Sequence, residues 1–266
     1  MSLTAKTVIV TGAAGGLGKT IADAFLEAGA NVVVADVNSQ RLASVDDEYT
    51  KSFADRFLTH KADVTSEAQV QGLVDATVAK FGRLDVLVNN AGIMDDFSPA
   101  GTCSREQWDR VLAINLTGPF LTTKTAVAQF LKQQHEGAGT GLIINIGSNA
   151  SVHGFQAGVA YTVSKTGLLG LTRNTASSYG TRGISCVTLL LGGMPGTNIL
   201  EGLAGGVQSL DMEMMQMMEA TRSKLTPDRF TSTKGVAKYC VFLADPDVSP
   251  TANGSCITFN NNWPEA

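Results

Sequence analysis

The chain has 266 residues, of which 44% are hydrophobic and 17% charged, so it can bury a full core. A net charge of −4 and the lack of any basic block argue against a nucleic-acid partner. No apolar run approaches the roughly 18 residues of a membrane helix, and the N-terminus has no long apolar segment, so we expect neither membrane insertion nor secretion. The four cysteines are far apart, which favours reduced, structural thiols and a cytoplasmic location.

Apolar runs alternate with stretches of helical spacing along the chain. The runs typical of buried strands lie at 6–11, 31–36, 57–63, 84–88, 142–148, 184–191 and 256–259. The predicted helices lie at 16–28, 39–56, 66–78, 104–134 and 158–179, with Gly29 ending the first and Gly118-Pro119 a possible interruption of the fourth. Because the strands are apolar throughout, we expect helices on both faces of the sheet. The sequence therefore predicts an α/β fold, a single domain over 1–266 with a doubly wound parallel sheet of about seven strands.

A glycine-rich loop joins the first strand to the first helix. Gly12, Gly16 and Gly18 let the backbone approach a pyrophosphate, whose charge would sit on the helix N-terminus. Asp36 ends the second strand, about 20 residues on, where a carboxylate accepts the two hydroxyls of an adenosine ribose and repels a 2′-phosphate. The pattern favours NAD over NADP. The alternative for Asp36 is a helix cap or a surface acid.

The stretch after the fifth strand carries the candidate catalytic groups. Tyr161 and Lys165 are four apart, so on a helix they share one face. An ammonium that close favours the phenolate and should lower the tyrosine pKa. Ser148 lies where the strand ends and can present its hydroxyl to the same place. Taken alone, the tyrosine and lysine pair also fits a solvated helix face with a half-buried tyrosine.

Taken together, these motifs resemble those of the short-chain dehydrogenase/reductase family. They are Thr11-Gly12-x-x-x-Gly16-x-Gly18, Asp63-Val64, Asn89-Asn90-Ala91-Gly92, Asn115, Ser148 and Tyr161-x-x-x-Lys165, in this order and spacing. The resemblance implies a Rossmann-like fold with a nicotinamide cofactor at the carboxyl ends of the strands. It implies no metal.

The resemblance also implies roles for single residues. Tyr161 would be the general acid/base, Ser148 would hold the substrate oxygen, Lys165 would bind the nicotinamide ribose, and Asn115 would hold a proton-relaying water. Cofactor contacts are implied for Gly12, Gly16, Leu17, Gly18, Asp36, Asp63, Val64, Asn90, Ala91, Gly92, Tyr161, Lys165 and Thr197.

Two places depart from the family pattern. Leu191 stands where the family usually has a proline. Thr197 comes one position later than the family's threonine, and the resemblance implies that it contacts the nicotinamide amide. Near the C-terminus, 260–263 reads Asn-Asn-Asn-Trp where an Asp-Gly-Gly-Trp-like end is common. We expect the second change to affect an interface or the lid and not the chemistry.

The segment 193–225 is the predicted substrate lid, and it is rich in methionine. Met214 and Met218 are candidate substrate contacts, because methionine adapts to apolar ligands. A methionine stripe at helical spacing fits a core role equally well. His153 lies between Ser148 and Tyr161 and is a further candidate for the substrate side, with a surface or packing role as its alternative.

The leading hypothesis is an NAD-dependent oxidoreductase that interconverts a secondary alcohol and a ketone on a mostly hydrophobic small molecule. The alternatives are a non-catalytic nucleotide-binding regulator on the same fold, and a non-redox lyase or isomerase that uses the same tyrosine. The resemblance further implies a homo-oligomer, a tetramer with a dimer as the alternative.

Overall fold

The computed structural model describes residues 2–135, 140–202, 210–221 and 224–263. Within these ranges one sheet runs through the molecule, and every neighbouring pair of its strands is parallel. The strands are β1 (Thr7–Thr11), β2 (Asn31–Asp36), β3 (Phe57–Lys61), β4 (Val86–Asn89), β5 (Gly141–Ile146), β6 (Ile184–Leu191) and β7 (Cys256–Phe259). Their order across the sheet is β3-β2-β1-β4-β5-β6-β7. The single domain and its seven-stranded parallel sheet confirm the predicted fold class.

Helices cover both faces of the sheet. They are α1 (Gly16–Glu27), α2 (Ser39–Ser52), α3 (Glu67–Phe81), α4 (Arg105–Leu112), α5 (Gly118–His135), α6 (Val159–Tyr179), α7 (Met212–Thr221) and α8 (Thr233–Leu243). Alternation along β1 divides the core, since Val8 and Val10 belong to the apolar cluster that contains α1 and α8, whereas Ile9 belongs to the cluster on the opposite face. Strand β1 thus supplies side chains to two cores, which is why its apolar run is continuous.

The chain reverses its direction of travel across the sheet at β1. Strands β2 and β3 lie to one side of β1, and β4 to β7 lie to the other. In open α/β sheets such a switch leaves a crevice at the carboxyl ends of the strands, between loops that leave in opposite directions. The loops after β1, β4, β5 and β6 meet there and hold the candidate site.

Most predicted elements agree with the structure, and the differences have local causes. Gly29 follows α1 with φ 93°, the left-handed conformation expected of a helix-ending glycine. The long helix predicted over 104–134 is not broken at Gly118-Pro119, because a π-helical turn, Ala113–Thr117, joins α4 to α5. Helix α8 was not predicted, since its sequence is mostly β-branched, aromatic or glycine residues, and packing against α1 stabilises it. No helix in the described ranges is long and apolar enough to cross a membrane.

Candidate active site

A large cleft lies at the carboxyl ends of the strands, with a volume of about 1060 Å³. Ligand pockets for one small molecule usually measure about 300–1,000 Å³, so this cleft has room for a dinucleotide together with a substrate. Every residue for which the sequence implied a cofactor contact lines it: Gly12, Gly16, Leu17, Gly18, Asp36, Asp63, Val64, Asn90, Ala91, Gly92, Tyr161, Lys165 and Thr197. Parts of the chain separated by more than 180 residues thus form one wall.

The glycine loop presents bare backbone to the cleft. Gly12 and Gly16 have φ of 61° and 54°, which side-chain-bearing residues rarely adopt. A Cβ at Gly18 would lie 2.3 Å from the carbonyl oxygen of Gly12, so only glycine allows α1 to begin this close to β1. The N-cap residue of α1, Gly15, has no side chain to cap the helix. The N–H groups of the first turn therefore remain available for a phosphate, and the loop fits a dinucleotide.

Asp36 faces the glycine loop from the end of β2. Its Oδ2 accepts a hydrogen bond from the backbone N–H of Ala14 at 3.0 Å, and its Oδ1 accepts one from Asn38 N–H at 2.9 Å. The cap of α2 is Asn38, whose side chain accepts from Gln40 and Arg41 N–H. Asp36 therefore does not cap a helix, and its carboxylate borders the cleft where a ribose would lie next to the pyrophosphate.

Asn90 and Thr11 tie the end of β4 to the end of β1. The Asn90 Nδ2 donates to the carbonyl oxygens of Thr11 and Gly12, at 2.9 and 3.0 Å. The Thr11 hydroxyl in turn accepts from the N–H groups of Asn90 and Ala91, both at 3.1 Å. These four bonds fix the glycine loop against the segment that leads to Gly92.

Tyr161 and Lys165 lie on the first turns of α6 and face the cleft. The exposed fractions of the two residues are only 5% and 4%. Lys165 Nζ lies 5.6 Å from the centre of the tyrosine ring and donates to the carbonyl oxygen of Ile146 at 2.8 Å. The helix spacing therefore places both groups together as the sequence predicted, and the fully enclosed setting excludes the solvated helix face that was the alternative.

Ser148 comes to Tyr161 from the turn after β5. Its hydroxyl accepts from Ala150 N–H at 3.2 Å, while the Ser151 hydroxyl accepts from Ser148 N–H at 3.2 Å. This pair of bonds is a capping box, which holds the turn in one conformation. Ser148 and Tyr161 both line the cleft, and hydrogen bonding by the Ser148 side chain acts to lower the pKa of Tyr161. The two hydroxyls thus converge on one point of the cleft, where a substrate oxygen would contact both.

Asn115 lies on the π-helical turn between α4 and α5 and is completely buried. Its side chain forms a closed pair with the backbone of Ile93, accepting from the N–H and donating to the carbonyl oxygen, each at 2.9 Å. It also donates to the Ser164 hydroxyl at 3.2 Å. Asn115 does not line the cleft. In this structure it connects the loop after β4 to α6, and its implied role in proton relay stays a prediction.

Burial shifts the pKa values of Tyr161 and Lys165 in the directions that favour the neutral forms of both side chains. Loss of solvent raises the pKa of Tyr161 to about 12; the hydrogen bond with Ser148 acts the other way, and the charge of Asp95 adds to the rise. Loss of solvent lowers the pKa of Lys165 to about 8. In the protein by itself, desolvation of the phenolate therefore sets the direction of the Tyr161 pKa, and the lowering effect expected of Lys165 stays a prediction.

Three predicted substrate contacts do not lie on the cleft walls of the described part of the chain. His153 is half-buried after the Ser148 turn, and Met214 and Met218 lie on α7. Met218 is 2% exposed, as a packing residue would be. Residues 203–209, 222 and 223 of the predicted lid fall outside the described ranges. The substrate role of these three residues stays a prediction.

The C-terminal segment, for which we expected a role in an interface or the lid, contributes Trp263 to the cleft. Trp263 lines the cleft and is 6% exposed, next to Gly193. Asn149, the residue after Ser148, donates to the Trp263 carbonyl oxygen and accepts from Asn260 Nδ2 at 2.9 Å. The chain can fold back because Asn261 and Asn262 adopt positive φ, which asparagine tolerates. In the sequence, the run of three asparagines at 260–262 was the feature that could have indicated this turn.

Two arginines of the cleft were also missed. Arg41 on α2 forms an ion pair with Glu201, and both residues line the cleft together with Asp36. Arg110 on α4 lines the cleft, and its Nε and Nη2 atoms are buried without a hydrogen-bond partner in the described structure. Their spacing from the family motifs gave no sign that they reach the cleft.

Comparison with known sequences shows which proteins the chain is similar to. The sequence model of the family described as short chain dehydrogenase matches residues 6–205. A short chain dehydrogenase/reductase of Colletotrichum higginsianum, dpchG, is 42% identical over 98% of the chain and 94% of that protein. The 3beta-hydroxysteroid dehydrogenase 2 of Eggerthella lenta is 34% identical over 98% of the chain and 95% of its own length.

A solved structure shows the same arrangement in three dimensions. The crystal structure of a 3-ketoacyl-(acyl-carrier-protein) reductase of Brucella melitensis, complexed with NADH, superposes with a TM-score of 0.82. The two sequences are 25% identical, and the match covers 98% of each chain. The likeness therefore extends over nearly the whole length of both chains.

Proposed function

The chain belongs to the short-chain dehydrogenase/reductase family and is an oxidoreductase that acts on CH–OH groups, and from this premise we propose that it interconverts a secondary alcohol and a ketone with NAD. Tyr161 is the general acid/base of the proposed reaction. The observation that carries the proposal is the convergence of Tyr161, Ser148 and Lys165 in a buried part of the cleft.

The chain's own residues move and hold the proton. In oxidation the Tyr161 phenolate takes the proton of the alcohol, and in reduction the phenol returns it to the ketone oxygen. Ser148 donates a hydrogen bond to that oxygen, and the Lys165 ammonium stabilises the phenolate while it exists. When bound, the nicotinamide ring supplies the carbon that accepts or gives the hydride. The enclosed site keeps water away from the reacting oxygen.

NAD is the proposed dinucleotide, in preference to NADP. The Asp36 carboxylate lies beside the glycine loop and would repel a 2′-phosphate while accepting hydrogen bonds from a ribose. Arg41 is the first cationic residue after Asp36 in the sequence that lines the cleft. Its charge is paired with that of Glu201. The relative of known structure is described as a complex with NADH.

The proposed substrate is mostly hydrophobic. Met94 and Ile199 pack in the same apolar cluster as Tyr161, and both line the cleft. Trp263 adds a large aromatic surface to the wall beside Gly193. A relative over nearly the whole chain is named a 3beta-hydroxysteroid dehydrogenase. These walls suit a ring ketone or ring alcohol better than a polyol.

The test is a substrate series with purified protein and NAD, followed by NADH absorbance and by product analysis. We expect kcat/KM to rise from cyclohexanol to tetralol to a hydroxysteroid, with sorbitol a poor substrate. A nucleotide-binding regulator would bind NADH without turning over any alcohol. A lyase or isomerase would form product without NADH. Either result would replace the proposed function.

We also propose a symmetric homo-oligomer in the cytoplasm, a tetramer with a dimer as the alternative. Large apolar side chains lie exposed on the helices that the family resemblance assigns to the subunit interface: Phe120 on α5 is 49% exposed and Val163 on α6 is 37% exposed. Light scattering gives the mass in solution, and a single 27.8 kDa chain at micromolar concentration would contradict the assembly.

A further inference from the structure

Asp95 is a buried carboxylate that the proposed chemistry does not use. It lies three residues after Gly92, in the loop between β4 and α4, and is 1% exposed. It does not line the cleft. Its Oδ1 accepts from the N–H groups of Phe97 and Gly158, at 3.2 and 2.9 Å, and its Oδ2 accepts from Tyr161 N–H at 2.8 Å. One carboxylate thus binds its own loop and the start of the helix that carries Tyr161.

Helix α6 depends on this carboxylate for its N-terminal cap. Its N-cap residue, Gly158, has no side chain, and its first turn contains no acidic residue. The first N–H groups of a helix have no partner within the helix, and a negative charge there is stabilising. Asp95 supplies both the acceptor and the charge from another part of the chain, and one of the two N–H groups it satisfies on α6 belongs to Tyr161 itself.

The absence of a side chain at Gly158 makes this contact with Asp95 possible. A Cβ at Gly158 would lie 2.5 Å from Asp95 Oδ2, closer than real Cβ contacts allow. Any larger residue would push the carboxylate away from α6. Helix α6 therefore has no N-cap side chain of its own, and the carboxylate of Asp95 accepts hydrogen bonds at its N-terminus instead.

The charge of Asp95 also acts on the phenol. Lys165 faces the Tyr161 ring from the next turn of α6, and Ser148 faces it from the turn after β5. Asp95 faces it from the loop after β4 and raises its pKa, while Asp96 and the Cys103 thiol are the titratable groups next to Asp95. Burial raises the pKa of Asp95 itself, although its backbone hydrogen bonds oppose the change.

We propose that Asp95 is a positioning residue: its carboxylate accepts the N–H groups of Gly158 and Tyr161 and places a negative charge at the N-terminus of α6, and so holds the first turn of that helix and with it the Tyr161 phenol. The inference rests on the proposed acid/base role of Tyr161. It assigns two effects to one side chain. The hydrogen bonds fix where the phenol lies, and the charge sets the pH range over which the phenol ionises.

The test compares Asp95→Asn with Asp96→Asn. Asparagine keeps the shape of Asp95 but has no charge, and its amide nitrogen cannot accept from a backbone N–H. Asp96 is the matched control, because it lies in the same loop and accepts from Ser98, whose N–H and hydroxyl lie at 3.0 and 2.6 Å. The phenolate of Tyr161 is titrated by ultraviolet difference spectra with saturating NAD, using Tyr161→Phe as the blank. This readout needs no substrate.

We expect Asp95→Asn to ionise Tyr161 at lower pH than the unmodified protein. Compared at equal phenolate fraction, kcat for the best alcohol of the series should fall by about 10–100-fold, because the phenol is displaced. NADH binding, followed by fluorescence, should be unchanged. Asp96→Asn should keep the midpoint and kcat within about twofold. An unchanged midpoint in a folded Asp95→Asn protein would overturn the proposal, even if its Tm is lower.

Gly158→Ala tests the same contact if Asp95→Asn does not fold. It displaces the carboxylate from the helix side without removing the charge, so kcat should fall while NADH binding persists. Normal kcat in Gly158→Ala would overturn the positioning role. If instead Tyr161→Phe turned over alcohols normally, the proposed function would fail first, and that result is distinct from both outcomes above.

Discussion

Lys165 Nζ lies 5.6 Å from the centre of the Tyr161 ring, one turn along α6, with both side chains almost completely enclosed. The same enclosure that brings the ammonium to the ring removes the solvent that would stabilise either charge. In the protein by itself the phenol is therefore the resting form. The ammonium and the bound nicotinamide have to overcome desolvation before Tyr161 can act as a base.

Alcohol oxidation should accelerate with pH. Because burial raises the pKa of Tyr161 to about 12, the phenolate fraction grows about tenfold per pH unit through the neutral range. The rise should become shallower near pH 8, where Lys165, with a pKa lowered to about 8, loses its charge. A bound nicotinamide cation moves the curve to lower pH without reversing it.

Ketone reduction uses the protonated phenol, so its rate should stay flat over the same range. Initial rates in both directions, measured from mildly acidic to mildly alkaline pH, provide the check. The midpoints obtained belong to the coupled pair and not to either residue. An oxidation rate that does not change with pH would exclude Tyr161 as the base.

The choice between NAD and NADP should depend on Asp36. In Asp36→Ala with Val37→Arg, the ratio of kcat/KM for NAD to that for NADP should fall by about tenfold or more, since removing a like charge near a phosphate is worth at least ~1.4 kcal/mol. Val37→Arg alone keeps the carboxylate and is the matched control, with a smaller change. Equal kcat/KM for the two cofactors in the unmodified protein would show that Asp36 does not select the dinucleotide.

Trp263 should contribute to the binding of large apolar substrates. Trp263→Ala removes an aromatic surface from the cleft, so KM for tetralol or a hydroxysteroid should rise by about 10–200-fold, as for lost apolar contacts, while KM for NAD stays constant. Trp108 lies on α4 and is not on the cleft walls, so Trp108→Phe is the control. Unchanged KM across the series would limit Trp263 to a packing role.

Helix α7 offers a test of the predicted lid. Met218 is 2% exposed, so Met218→Ser should lower Tm, with a loss of about 2–5 kcal/mol in the free energy of unfolding. The half-buried Met214 gives a milder companion variant, Met214→Ser. A KM increase that grows with the size of the apolar substrate would place α7 in the substrate lid, as the sequence predicts. Thermal melts and the substrate series separate these two effects.

The fold could be predicted because its signals are local. The strands are short apolar runs, and Gly12 and Gly18 mark the loop, since only glycine fits there. Tyr161 and Lys165 meet because a helix brings residues four apart onto one face. These features need no knowledge of distant contacts.

The features that could not be predicted depend on tertiary contacts. The pKa of Tyr161 is set by burial, which a spacing pattern does not reveal. Trp263 reaches the cleft through hydrogen bonds to Asn149, more than 100 residues earlier in the chain. Asp95 caps a helix that begins 64 residues after it, and no local capping pattern indicates a partner that distant.

The most direct test of the account is turnover by Tyr161→Phe, which removes one oxygen and leaves the ring. The rate of NADH production from the best alcohol of the series should fall by about 10²–10⁴-fold or more, which is the usual contribution of general acid/base catalysis in enzymes. NADH binding should stay within about threefold of the unmodified protein, because the glycine loop and Asp36 are untouched. Near-normal turnover by this variant would contradict the assignment of Tyr161 as the acid/base.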